Sequence, residues 1–281
     1  MVLPEDCKFW HSFAMEPLED DFRWVLRKAL KGGNLAPAEA AERAELPAAD
    51  VLALSRGRFS EETARRAAPV LGLDAEAFVA LPGYHPQVAL PAGLHRHAVP
   101  FDGGFVNAWL LCLEGRALLV DAGPDPLALS VFLREHSFSR LDVAVTHPHG
   151  DHTGGLPALR GIRHTLLAPV GAVAGLPGAV GCNPGESLDI PPFGVLVLDL
   201  NGHWPGALGF LVDAFETPVC AVGDALFAGS LGGTPDPARH EIALDRIRRE
   251  IMTLSDETIL LPGHGPPTTV GLERRNNPFL A

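Results

Sequence analysis

The stretch VAVTHPHGDHTGG, residues 143–155, decides how this chain is read. An apolar alternating run ends at Thr146, and three histidines and an aspartate then fall within six positions, His147 to His152. His147-x-His149 puts two imidazoles on one loop, close enough to grip a single ion. Asp151 and His152 follow at once and cannot all point the same way as the first two. One loop is therefore expected to feed two neighbouring metal positions. Imidazole nitrogen and carboxylate oxygen suit zinc, iron or manganese, whereas calcium prefers all-oxygen shells.

A pair of ions needs further ligands, and the chain offers them in matching settings. His203 follows the apolar run 193–200, Asp224 follows 218–223, and His264 follows 258–261. Each stands on a glycine-flanked turn at the end of an expected strand, where loops gather over a rigid scaffold. A lone loop histidine is ordinarily just solvated. The density around His147 sets these residues apart. The others carry no such company: His11, His85, His136, His164 and His240 stand singly, and His95-x-His97 shares one strand face without a carboxylate beside it.

Bulk properties narrow the field. The chain has 281 residues, 47% hydrophobic and 20% charged, an ordinary globular composition. It has no run of about 18 uninterrupted apolar residues, so no transmembrane helix is expected. An acidic pair stands near the start where a signal peptide carries lysine or arginine, which points to a cytoplasmic protein. The four cysteines Cys7, Cys112, Cys182 and Cys220 are far apart and read as reduced thiols. The net charge of −12 argues against a general nucleic-acid or membrane-surface binder, since both partners are anionic. A small-molecule substrate is the expected partner.

Two textures divide the chain. An acidic lead-in, 1–21, precedes alanine- and charge-rich segments with helical spacing over 22–81. Pro37 suits the first turn of one helix, and Ser60 before Glu61 and Glu62 suits an N-cap. The proline- and glycine-rich LPGYHPQVALPAG, 81–93, breaks the helical period. The boundary is placed there, with a helical domain over 1–85 and a larger domain over 86–281. In the larger domain strand patterns dominate, interrupted by the helical patterns PLALSVFLREH and EIALDRIRREIMTL. That mixture indicates an α/β fold of sheets covered by helices.

T-H-x-H-x-D-H-x-G-G, standing as Thr146 to Gly155, resembles the signature of the metallo-β-lactamase superfamily. LLVDAG with Asp121, GHWPGALGF, GDALFAGSLGG and the closing PGHGPPTTVGLERRNNPFL extend the resemblance over residues 88–281. It implies a four-layer αββα sandwich, here preceded by a small all-α domain. It also implies two divalent metal ions, zinc first, with iron or manganese as alternatives. The first would take His147, His149 and His203, and the second Asp151, His152 and His264. Asp224 would bridge them, with Asp151 and Asp224 also serving catalysis and Asp121 bracing the ligand loops. The implied chemistry is metal-assisted hydrolysis.

Within the family the closing motif is most similar to the glyoxalase-II-like branch, which cleaves thioesters. Only 17 residues follow His264, so no helical glutathione-binding domain is expected after it. Arg274 and Arg275 are candidates to hold an anionic substrate, and Trp204, beside the third histidine, is a candidate pocket wall. A persulfide dioxygenase with one iron on His147, His203 and Asp224 shares the same ligand residues. Residues 22–81 in turn resemble a degenerate phage-repressor helix-turn-helix, with PAADVLALSRG as its reading helix. Yet residues 25–80 hold eight Lys/Arg and eight Asp/Glu, and Asp50 stands early in that helix. Without a basic footprint the expected role is a homodimerisation or lid module; a DNA-binding regulator with a ligand-sensing metal domain is the alternative.

Overall fold

The computed structural model describes residues 16–281, so Cys7 and His11 lie outside it. Five helices come first: α1 (Phe22–Gly32), α2 (Pro37–Arg43), α3 (Ala48–Ser55), α4 (Glu61–Ala67) and α5 (Ala75–Ala80). Their starts follow local chemistry. The Asp21 carboxylate accepts from the amides of Arg23 and Trp24, Pro37 opens α2, and Ser60 Oγ accepts from Thr63 N at 3.3 Å. α1 turns Val25, Leu26, Ala29 and Leu30 inward, the one-sided spacing of an amphipathic helix.

The rest of the chain forms two six-stranded sheets. The first holds, in spatial order, β1 (Leu94–Phe101), β2 (Gly104–Leu113), β3 (Arg116–Val120), β4 (Arg140–Ala144), β5 (His164–Pro169) and β6 (Ala179–Cys182). β1 to β3 are antiparallel, and β3 to β6 run parallel. The second sheet begins with β7 (Ser187–Ile190), β8 (Phe193–Asp199), β9 (Leu208–Val212) and β10 (Val219–Gly223), all antiparallel. After a two-stranded ribbon, β11 (Leu226–Phe227) and β12 (Ser230–Leu231), it is completed by β13 (Ile259–Pro262), parallel to β10, and β14 (Thr268–Thr269). Helices α6 (Pro126–Arg134), α7 (Gly150–Thr153), α8 (Pro237–Arg246) and α9 (Val270–Asn276) fill the connections.

Strand alternation sorts the core into three layers. Trp109, Leu111, Leu118, Val120, Val219 and Ala221 face the space between the sheets. Ala108, Leu110, Ala117 and Leu119 face outward and are covered by Leu129 and Leu133 of α6. On the far side, Cys220, Val222 and Leu260 meet Val25, Leu26, Leu54 and Phe78 of the leading helices. Full burial of each such large side chain stabilises by roughly 1.5–3 kcal/mol. The leading helices thus pack on the outer face of the second sheet, beside Ile247 and Ile251 from the segment after α8. The result is a two-sheet sandwich with a helical layer on each side, the architecture the sequence resemblance implies.

A buried polar knot ties the two parts together. Tyr84, just past α5, donates its hydroxyl to Glu273 Oε1 at 2.7 Å and lies 3.0 Å from Thr268 Oγ1. Glu273 also accepts from Thr268 Oγ1, Gly229 N and Asn277 Nδ2. A fully buried carboxylate is tolerable only with its oxygens satisfied in this way.

Candidate metal centre

The site lies at one edge of the sandwich, where β4, β8, β10 and β13 each end in a glycine-containing turn. The β4 turn gives His147 and His149 and runs into the four-residue α7, which carries Asp151 and His152. His203 comes from the β8–β9 connection, Asp224 from the end of β10, and His264 from the end of β13. The His264 turn is clamped from the opposite sheet: Asn107 N donates to Gly263 O at 2.7 Å, and Trp109 Nε1 donates to Pro262 O at 3.0 Å. Strand ends of both sheets therefore converge on one place.

Three ligand clusters form there: His147 with His149 and His203, His147 with His152 and Asp224, and Asp151 with His152 and His264. His149 Nδ1 lies 3.0 Å from His147 Nε2 and 3.1 Å from His203 Nε2. Nitrogens bound tetrahedrally at 2.0–2.1 Å to one ion stand about 3.3 Å apart, so the spacing fits a single cation. In the third cluster Asp151 Oδ2 is 3.3 Å from His264 Nε2 and 3.7 Å from His152 Nε2. Asp224 sits between: Oδ1 is 3.3 Å from His152 Nε2, while Oδ2 is 3.5 Å from His264 Nε2 and 3.6 Å from His203 Nε2.

The rings are aimed from behind. His203 Nδ1 donates to Gly233 O at 2.6 Å, and His264 Nδ1 donates to Phe105 O at 3.0 Å. His152 Nδ1 donates to Asp121 Oδ2 at 2.8 Å. Thr146 Oγ1 gives its proton to the same Asp121 oxygen at 2.8 Å, so it accepts from His147 Nδ1 at 3.0 Å. With Nδ1 committed in this way, each Nε2 points into the site, where a bound ion would take its lone pair. Asp121 therefore governs one ring directly and another through Thr146. Its backbone is left-handed, φ 59°, a conformation aspartate tolerates, and Thr146 N donates to its Oδ1 at 2.8 Å.

Charge in the site calls for a cation. Burial pushes the His147 pKa down to about 2, aided by neighbouring His152, so this ring is a neutral donor. Burial alone would also lower His152, but Asp224 and Asp121 outweigh it and raise that ring well above its ordinary value. Burial likewise opposes the rise of His264, which hydrogen bonding to Asp151 and Asp224 carries to about 10. Asp224 is held well below the usual carboxylate range; burial works against this, and His152 and His264 prevail. Protons on His152 and His264 thus balance two buried carboxylates, work that divalent ions do at such a site. His152 Nε2 and Asp224 Oδ1 are buried without a hydrogen-bond partner and face each other, as atoms meant for a shared ion would.

One glycine is required here for space. A methyl at Gly263 would stand 2.6 Å from His152 Cε1 and closer still to Asp224 Oδ1. Thr146, Gly263 and the carbonyls of Phe105 and Gly233 are the contributors sequence reasoning passed over. Thr146 was visible beside His147; the carbonyls had no signal to give.

Other expectations meet a different outcome. Arg274 and Arg275 do not line the cleft in front of the site. α9 turns Val270 and Glu273 inward and both arginines out, and Arg274 is occupied by Asp256 and by the carbonyls of Met252 and Leu254. Trp204 does not line it either: its ring packs against the core on the outer face of the first sheet. His95 and His97, by contrast, pack as expected of histidines without a carboxylate companion: His97 stacks on Phe132 of α6 at 4.5 Å, and His95 lies 4.2 Å from His136.

The cleft itself encloses about 1150 Å³. His203, Asp224 and His264 form its floor, the β1–β2 hairpin one wall, and residues 16–20 with Trp24 and Lys28 the other. No helix of the described residues is long and apolar enough to cross a membrane.

Comparison with known proteins identifies the family. A family model described as "Metallo-beta-lactamase superfamily" matches residues 101–264. Hydroxyacylglutathione hydrolase GloC of Haemophilus influenzae is 31% identical over 189 residues, 59% of this chain and 88% of the relative. The solved BLEG-1 B3 metallo-beta-lactamase superposes with a TM-score of 0.55 at 28% identity, covering 67% of this chain and 99% of that one. TTHA1623, solved in a di-iron-bound form, is 29% identical with a TM-score of 0.52, covering 68% and 100%.

Proposed function

Because this chain belongs to the metallo-β-lactamase superfamily, and so to its metal-dependent hydrolases, we propose that it hydrolyses a thioester or related ester of a small molecule, as glyoxalase-II-like enzymes do. The observation that carries the reading is Asp224 standing between two complete ligand clusters. His147, His149 and His203 would hold one divalent ion, Asp151, His152 and His264 the other, with Asp224 shared. Zinc suits this donor set, with iron or manganese as alternatives. Such ions supply Lewis acidity toward the substrate carbonyl and lower the pKa of water.

The chain's own residues do the positioning. Asp224 lines the cleft and Asp151 stands behind it against His264, where its carboxylate would orient the attacking water by accepting a hydrogen. Asp121, Thr146 and the Gly233 and Phe105 carbonyls fix the rings so that no reorganisation is needed during reaction. A dioxygenase with one iron on His147, His203 and Asp224 shares these residues, so metal count and oxygen consumption distinguish it from the dinuclear hydrolase. Of the leading helices, α1 supplies Trp24 and Lys28 to one wall of the cleft. α3 exposes Ala48, Ala49 and Asp50, a surface unsuited to phosphate, so a role in reading DNA is not supported. The free thiols of Cys112, Cys182 and Cys220 support a reducing, cytoplasmic setting.

The test is a hydrolysis screen with thioester, lactone, phosphodiester and β-lactam probes, alongside metal analysis. Two transition-metal ions per chain and preferential thioester cleavage are expected. One iron per chain with oxygen consumption would overturn the reading.

A further inference from the structure

The cleft contains two cations, Arg96 and Lys28, and the chain's own lead-in uses both. Arg96 Nη1 and Nη2 meet the Glu16 carboxylate at 2.8 and 2.6 Å. Nε donates to Asn107 Oδ1 at 2.7 Å, and Nη2 also donates to Gly265 O at 2.8 Å. Lys28 Nζ donates to Asp20 and, at 2.6 Å, to Leu231 O, and lies over the Phe227 ring. Asp20 is itself buried and held by Ser230 Oγ at 2.6 Å, so this pair is a built feature of the wall. The other carboxylates lining the cleft, Glu19 and Asp102, have no lysine or arginine partner among the described residues. Outside the metal centre, four carboxylates therefore face two cations that are already paired.

We propose that Glu16 and Asp20 are specificity-determining residues that set the substrate's charge: by occupying Arg96 and Lys28 they turn away anionic thioesters, and the cleft selects thioesters whose thiol portion carries a positive charge. This rests on the hydrolase reading for the reaction, but not for the charge preference. An entering carboxylate or sulfonate finds no lysine or arginine free of a carboxylate and must displace Glu16 from a guanidinium that Asn107 and Gly265 also hold. An entering ammonium meets Asp102, and Glu19 4.0 Å from His264, neither of them paired with a lysine or arginine, in a cleft whose walls reduce solvent screening.

The experiment measures binding, which does not require turnover. Zinc-loaded full-length protein is titrated calorimetrically with two uncleavable thioethers of matched length, S-propylthiocholine and S-propylmercaptoethanesulfonate. The sulfonate is used because it is a poor metal ligand. The cationic thioether is expected to bind about tenfold more tightly at low ionic strength, with the gap narrowing as salt is added. Glu16→Ala frees Arg96 and should close or reverse the gap, a gain of anion binding that misfolding cannot imitate. Equal or tighter binding of the sulfonate by the unaltered protein would overturn the proposal, because it would mean the substrate displaces Glu16. An unchanged ratio in Glu16→Ala would overturn it too. Acetylthiocholine cleavage is followed in parallel: a charge preference without hydrolysis counts against the hydrolase reading alone.

Discussion

Asp121→Asn is the most discriminating perturbation of this site, because it changes one buried atom and no shape. The carboxylate accepts from Thr146 N on Oδ1, and from Thr146 Oγ1 and His152 Nδ1 on Oδ2. An asparagine must turn its NH₂ toward one of those sets. Facing Thr146 N, it opposes a buried backbone donor to a donor. Facing His152, it drives the ring proton from Nδ1 to Nε2, the atom that must offer a lone pair, and it removes the acceptor through which Thr146 aims His147. Leaving one buried donor unsatisfied costs about 1–3 kcal/mol. Loss of a partner behind a metal-binding histidine typically lowers metal affinity about 10–100-fold, or roughly 1.4–2.7 kcal/mol, so the two routes agree. Zinc affinity by chelator competition is the assay, with far-UV circular dichroism to confirm the fold. Thr146→Ala, which disturbs His147 alone, should lose less than Asp121→Asn. Unaltered zinc affinity and activity in Asp121→Asn would refute the claim that Asp121 sets the ring tautomers.

The remaining predictions concern space, charge and stability. Gly263→Ala should displace Asp224 or His152 by about 1 Å, and since such a shift costs on the order of 100-fold in rate, a fully active variant would contradict the packing argument. Asp224→Ala should lose metal and activity together; a fully metallated, active protein would remove its bridging role. Tyr84→Phe deletes a donor to a buried carboxylate and should cost about 1.5–3 kcal/mol in urea unfolding. Burial raises the Glu273 pKa above 4.5 although Tyr84 and Thr268 act to lower it, so the folded protein holds that proton more tightly than the unfolded chain. Its contribution to stability therefore falls as pH rises from about 4.5 through the folded value, and Glu273→Gln should flatten that slope. An identical pH profile in the variant would show that Glu273 titrates normally.

Periodicity made much of the fold legible. Alternating runs such as FVNAWLLCL and the helical pattern PLALSVFLREH became β2 and α6, because a strand between two apolar layers or a helix on a sheet must repeat its side chains at fixed intervals. Short edge strands such as β7 and β14 escaped notice, since two to four residues hold no readable period. The acidic lead-in was legible as composition only. Its last residues form a cleft wall because Asp20 pairs with nearby Lys28 and Glu16 finds Arg96 across the fold. Arg274 and Arg275 resembled substrate anchors by their closeness to His264 in sequence, and the turn into α9 carries them away from it.

The sequence by itself determined which groups were available for metal: seven histidines and aspartates, four in the turn after one apolar strand and three just past the ends of others. That much is local, since a strand end and its turn are written in neighbouring residues. Tertiary structure alone decided how those groups are aimed. Ring orientation depends on acceptors such as Phe105 O and Gly233 O, far away in the chain. A backbone carbonyl leaves no mark in an amino-acid sequence until packing brings it within hydrogen-bonding distance of a ring.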